Sequence, residues 1–244
     1  MQKSFLVGAI IVFLIGATEF PAFCFSSPSD TSIGVGLRLS TLGPGLEAAI
    51  SVTQRTNIRV GYSALDYHYS SDQSGVTYDG HLRLRAFEAH LDWFPFGGWF
   101  HISPGFQVNS GKPLTADTSV PGGQQFSLGD TDYQSDPTDP VTGTGEVNVN
   151  TFSPTLMMGW GNLVPRSDSH FSGYFEFGVA YQGSPSTTLN YSGSACDPGG
   201  GNCQNVSSDP TIQSNLKSEE DKLNNNLSWL RFYPVVAFGL GYKF

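Results

Sequence analysis

Long apolar runs, cysteine and basic charge are all scarce in this chain of 244 residues. Beyond its first residues no stretch approaches the ~18 apolar residues of a membrane helix. Most of the chain can therefore enter a bilayer only as a closed sheet, in which strands satisfy one another's backbone groups. The 3 cysteines and 5 histidines show no zinc spacing, and no phosphate-cradling glycine loop opens a helix; GGG at 199–201 reads as loop. No catalytic constellation, metal or cofactor is expected. Lys and Arg number 12 against 21 Asp and Glu, a net charge of -9, and the basic residues sit singly, which argues against nucleic acid as a partner.

What the chain does hold is glycine (29), phenylalanine (18) and tyrosine (10), suited to turns, close packing and interfacial girdles. Its mean hydropathy of -0.17 conceals membrane character when half of each strand faces a polar interior. At the start, Lys3 precedes an apolar run over 5–17, too short to span as a helix and right for the core of a secretory signal. Residues 1–25 are expected to be that signal, cut near 24–27, where Ala22, Cys24 and Ser26 are small. A lipid-attachment site at Cys24 needs a small residue before it, and Phe23 stands there. The remaining chain, 31–244, reads as one domain.

The tail over 227–244 is the most informative stretch. Leu230, Phe232, Pro234, Val236, Phe238, Leu240, Tyr242 and Phe244 alternate with Trp229, Arg231, Tyr233, Ala237, Gly239, Gly241 and Lys243, the period of a strand with one apolar face. Such a strand ending on an aromatic carboxylate resembles the closing strand of bacterial outer-membrane barrels. Phe238, Leu240, Tyr242 and Phe244 are then the expected signal for the barrel-assembly machinery. The same alternation marks seven earlier strands: 32–40, 46–53, 58–69, 76–94, 99–109, 147–160 and one from about 171. Each is long enough for the ~9–11 residues of a tilted membrane strand. With the C-terminus in the periplasm, the connections at 54–57, 95–98 and 162–169 fall inside, and 41–45, 70–75, 110–146 and 184–228 outside. Leu82 and Leu84 are out of phase with Phe87, Ala89, Leu91 and Trp93, so a bulge is expected near Arg85 or Ala86.

The stretches TLGPGLE at 41–47, LDWFPFGG at 91–98, and QGSP at 182–185 followed by a polar loop, a charged helix and YPVVAFGLGYKF resemble a family of small Gram-negative outer-membrane barrel proteins, broadly like OmpA or OmpX. The resemblance implies an all-β, eight-stranded antiparallel transmembrane barrel in the bacterial outer membrane, among outer-membrane lipids and lipopolysaccharide. It implies almost nothing about activity.

Opposite the apolar face lie Arg38, Glu47, Arg59, Asp66, Arg83, Glu88, His90, Asp92, His101 and Glu176. An eight-stranded barrel is just wide enough for side chains to fill it. These charges are therefore expected to pair into a network, giving a structural or surface-interaction protein. A narrow channel is the alternative. A lipid A-modifying enzyme is a second one, because deacylases of the PagL type use His, Ser and Glu on a small barrel, and His170, Ser172 and Glu176 are in suitable order. His170 lies at the inner turn, however, while lipid A occupies the outer leaflet.

The two long outer loops carry whatever is recognised outside. Loop 110–146 is acidic, with Asp117, Asp130, Asp132, Asp136, Asp139 and Glu146 against Lys112; it is expected to be solvated and partly disordered, with no calcium-loop spacing. Cys196 and Cys203 flank DPGGGN in an oxidising compartment and are expected to form a disulfide. A helix capped by Asp209 or Thr211 is expected to reach Leu227, with Ile212, Leu216, Leu223 and Leu227 in a stripe covering the barrel mouth.

Overall fold

The computed structural model describes residues 32–73 and 76–244; the expected signal segment, with Cys24, lies outside them. In chain order the elements are β1 (Ile33–Ser40), β2 (Gly43–Thr53), β3 (Thr56–Gln73), β4 (Val76–Trp93), β5 (Phe100–Asn109), β6 (Leu114–Val120), β7 (Gln125–Leu128), β8 (Thr131–Ser135) and β9 (Val141–Asn148). They continue with β10 (Phe152–Gly161), β11 (Phe171–Tyr181), β12 (Ser186–Ser192), β13 (Ser194–Asp197), β14 (Gly201–Asn205), α1 (Pro210–Leu227) and β15 (Phe232–Lys243). Between α1 and β15 the chain makes a short 3-10 turn, Ser228–Arg231.

Eight of these strands close on themselves. The pairing runs β1, β2, β3, β4, β5, β10, β11, β15 and back to β1, antiparallel throughout. Side chains alternate strictly across this wall. Leu37 is 65% exposed, Leu240 72% and Phe238 58%, while Arg38, Glu47 and Glu176 between such positions are buried. Aromatic contacts gather at both rims. Phe96, Phe100 and Trp160 meet at the end carrying the C-terminus. At the other end Phe106 stacks on Phe152 and Tyr181 meets Phe232. Since these large apolar groups are left exposed by the closed wall, the surrounding medium must be apolar at mid-height and mixed at the rims. This is the anatomy of a transmembrane barrel.

The eight barrel strands are the ones the alternation identifies, with four adjustments. β2 starts at Gly43 rather than 46, because Gly43 adopts φ 106 and lets the turn tighten to two residues. The sixth stretch splits into β9 and β10 around 149–151, because Val147 pairs with Leu114 outside the barrel whereas Phe152 pairs with Val108 within it. The tail strand starts at Phe232, its first residues being taken up by the helix and the 3-10 turn. There is also no bulge in β4. Its register with β3 is unbroken from Thr56↔Trp93 to Gln73↔Val76, and on its other edge it changes partner, from β6 at Leu82 to β5 at Ala86. Leu82 and Leu84 thus share the inner face with Ala86 and Glu88. The phase does not shift; the chemistry of the interior changes with height.

The long hairpin of β3 and β4 rises past the barrel and seeds an outer layer. β6, β9 and β12 add successively to β4, and β14, β13, β8 and β7 form a second, four-stranded sheet. Loop 110–146 is thereby ordered rather than partly disordered, since the upper part of β4 offers an edge on which it can pair. A core of Val76, Val120, Leu128, Tyr133, Val141, Ala195, Val206, Ile212 and Leu216 lies between these sheets and α1. The helix begins where expected: Asp209 accepts from the Thr211 and Ile212 amides, both at 2.9 Å, and Pro210 stands in the first turn. Its stripe is divided. Ile212 and Leu216 cover the outer sheets, and only the Leu227 end reaches the barrel mouth. α1 also covers the free edge of β12, where the Thr187 amide donates to Asn224 and the Leu189 amide to Glu220, removing an open template for pairing with another chain.

Candidate functional site in the barrel lumen

Strand parity delivers Arg38 from β1, Glu47 from β2, Arg59 from β3, Glu88 and Asp92 from β4 and Glu176 from β11 to one buried layer. Arg59 is its hub. Its Nε and Nη2 donate to Asp92 (3.1 and 3.0 Å), Nη2 also to Glu176 at 2.6 Å, and Nη1 to Glu47 and Glu176 at 3.3 and 3.1 Å. Arg38 Nη2 bridges Glu88 and Glu176, each at 3.1 Å. Two guanidiniums thus serve four carboxylates, and neutral hydroxyls supply further donors. Tyr174 donates to Glu47 at 2.6 Å, Ser103 to Asp92 at 2.7 Å and Ser63 to Glu88 at 3.2 Å. The Tyr174 ring also lies 4.9 Å beneath the Arg59 guanidinium carbon. His101 Nε2 is 3.6 Å from Glu176, and His90 Nε2 is 3.2 Å from the Thr155 hydroxyl.

Glycine makes room for these groups. Glu47 stands across from Gly36 and Gly61, Glu176 across from Gly159, His90 across from Gly105, and Tyr174 across from Gly161 and Gly239. A Cβ at Gly159 would stand 2.8 Å from the Glu176 Cβ, and one at Gly239 would collide with the Tyr174 ring. The glycine count that suggested turns is thus spent partly inside the wall.

Below the charged layer the inner connection 162–170, expected as a plain turn over 162–169, turns into the barrel. Leu163 and Val164 are buried against Ala49 and Tyr174. The lumen-facing glycines of β1 and β15 admit them: a Cβ at Gly36 would lie 2.7 Å from Leu163. The plug is tied down from both sides. Arg166 donates to the Thr53 carbonyl at 2.8 Å and to Asn57 at 2.7 Å, and Lys243 donates to the carbonyls of Pro165 and Ser167. A run of small residues on the inner face of two neighbouring strands, opposite an apolar Leu-Val in a polar turn, is the signal that would have found it.

Arg83 stands outside this network, and so does Asp66. With β4 unbulged Arg83 points outward, and Asp66 does so because it has the opposite parity to Arg59 along the unbroken β3; both lie above the barrel, about half exposed, and pair with each other at 3.4 Å. The deacylase set does not assemble either. His170 Nδ1 meets the Lys243 carbonyl at 2.9 Å, Ser172 donates to the Leu163 carbonyl at 3.1 Å, and Glu176 belongs to the Arg59 cluster.

In the outer layer Cys196 and Cys203 form a disulfide, and most of the acidic residues of loop 110–146 are used internally. Lys112 pairs with Glu146 at 2.6 Å, Lys222 with Asp130 at 2.9 Å, and Ser194 donates to Asp139 at 2.8 Å. Among the described residues the one three-member group close enough to hold a metal is Asp136 with the two bonded cysteines, and sulfurs joined to each other are not thiolate ligands. A depression of about 790 Å³ on the outside of the wall, lined by Val35, Leu37, Leu46 and Leu240, faces the bilayer and offers a surface for lipid chains rather than for chemistry.

A closed antiparallel barrel with an apolar exterior, two aromatic rims and a polar interior defines the class: an eight-stranded outer-membrane β-barrel protein. Neither a family model nor a curated protein matches the sequence. In structure the chain is similar to CarO of Acinetobacter baumannii, with a TM-score of 0.53 and 20% identity over 86% of this chain and 97% of that one. It is likewise similar to CarO2 of Acinetobacter baumannii, with a TM-score of 0.53 and 17% identity over 88% of this chain and 100% of that one. At these identities the likeness is one of fold.

Proposed function

We propose that this protein is a non-conducting, non-enzymatic barrel with a structural or surface-interaction role, displayed through its outer layer. The observation that carries this reading is the double closure of the lumen. The Arg59 and Arg38 clusters occupy its middle, and Leu163 and Val164 fill its inner end. Removing either guanidinium from its partners to open a path would leave buried carboxylates unpaired, which costs several kcal/mol. The outer layer, by contrast, has a core, a disulfide and a capped edge of its own, more structure than closing a barrel needs. Lipopolysaccharide is the expected neighbour of that layer, and the barrel-assembly machinery the expected reader of the tail from Phe238 to Phe244.

The test is electrical. Purified protein in a planar bilayer should show no steady channel, and truncating the plug with Leu163→Ala should still give none, because the Arg59 layer remains. A stable current of porin size from the wild-type protein would overturn the reading in favour of the channel.

A further inference from the structure

Above the charged layer the inner faces of β3 and β4 turn apolar, at Leu65, Leu82 and Leu84. With Leu42, Leu227 and Leu230 they line a partly open cavity of about 300 Å³ at the outer mouth. Arg83 and Arg85 border it from strand positions whose side chains are exposed on the opposite face. Of the polar groups in the lining, Thr41, Asn109 and Tyr233 are spent on backbone groups, and Gln107 holds the one buried atom left without a partner. Gln107 of β5 is 2% exposed, and its Oε1 has no hydrogen-bond partner. The other glutamine of the wall, Gln182, is already engaged, donating from Nε2 to the Leu230 carbonyl at 3.0 Å. A mainly apolar chamber at the lower end of the ~300–1,000 Å³ range of ligand sites, with a single buried unspent acceptor, has the make-up of a binding pocket rather than of packed core.

We propose that this chamber binds a small uncharged amphiphile, whose apolar body packs against the leucines and whose single hydroxyl or amide N–H draws the buried Gln107 amide round and donates to its Oε1. Charge is excluded because no ionised group of the inner face reaches the cavity to compensate it. The roof comes from the end of α1 and the turn after it, through Leu227 and Leu230. The inference is independent of conductance, since the chamber lies above the closed lumen.

1-Naphthol and its methyl ether, 1-methoxynaphthalene, are a matched pair of probes that differ in the one donor. Titrated into the full protein in lipid nanodiscs, with empty nanodiscs as the control for partitioning, 1-naphthol should bind about tenfold more tightly than the ether, the worth of one buried hydrogen bond. Gln107→Leu should abolish that preference while keeping the ether's affinity. Leu230→Trp, placed in the roof outside the barrel wall, should fill the chamber and weaken both probes, with heat-modifiable mobility retained as proof of folding. Binding of both probes no greater than to empty nanodiscs would overturn the proposal. So would equal affinity of the wild type for the two, or binding unchanged in a folded Leu230→Trp protein.

Discussion

Arg59 shows how much one position carries inside a narrow barrel. It contacts Glu47, Asp92 and Glu176, so its removal leaves Glu47 and Asp92 without a cation and Glu176 with Arg38 alone. Arg59→Leu is expected to destabilise the folded barrel by about 3 to 5 kcal/mol, the penalty for breaking a buried ion pair from one side. Urea unfolding in lipid vesicles checks it, and an unchanged midpoint would show that the carboxylates find other partners. Gly239 tests the complementary feature, the space itself. It stands across from both Arg38 and Tyr174, so Gly239→Leu should prevent closure of β15 onto its neighbours. The expected result is loss of the compact, heat-modifiable band in detergent gels. A normal band would mean that the Tyr174 ring can move aside.

Among the elements, the disulfide-bearing hairpin of β13 and β14 belongs energetically to the outer layer. It pairs with β8, not with a barrel strand, and its cysteines are 7 residues apart. Closing so short a ring limits the entropic gain to about 2 to 3 kcal/mol. A protein with both cysteines changed to serine should therefore insert and migrate normally, while protease added to intact cells cuts the segment after Asn190 more readily. Loss of the barrel in that variant would place the bond in the folding of the whole molecule. β4 is the element whose role changes most along its length. Its lower part closes the barrel with β5 and its upper part nucleates the outer sheet with β6. A single straight strand thereby couples the membrane wall to the surface layer without a linker.

For the whole molecule, closure and insertion are predicted to be separable. Phe244 is 71% exposed on the outer face, and its amide donates to the Ile33 carbonyl at 2.9 Å, so its ring adds little to the interior. Phe244→Asp should lower the amount of protein reaching the outer membrane while protein refolded from denaturant keeps nearly its normal stability. Wild-type surface levels of that variant would remove the tail as an assembly signal. If the layer held to the barrel through β3 and β4 faces the outside, as proposed, antibodies against 110–146 or 184–228 should bind intact cells.

Alternation of side chains is a local property, so the chain itself determined the number of barrel strands and their approximate places, which connections share an end, the apolar exterior and the aromatic tail. The helix start was legible for the same reason, since Asp209 caps amides only two and three residues away. Paired cysteines a few residues apart were legible too. Tertiary structure decided whatever depends on which strand is the neighbour at a given height. Arg83 looks like a lumen charge until β4 is seen to run unbulged, and Leu82 and Leu84 look misphased until the interior above Ala86 turns out to be apolar. The plug at Leu163 and the ordered loop 110–146 are products of pairing across long stretches of chain, through glycines that admit a side chain and a strand edge that accepts a partner. No periodicity within a single segment encodes a surface that exists only after the barrel has closed.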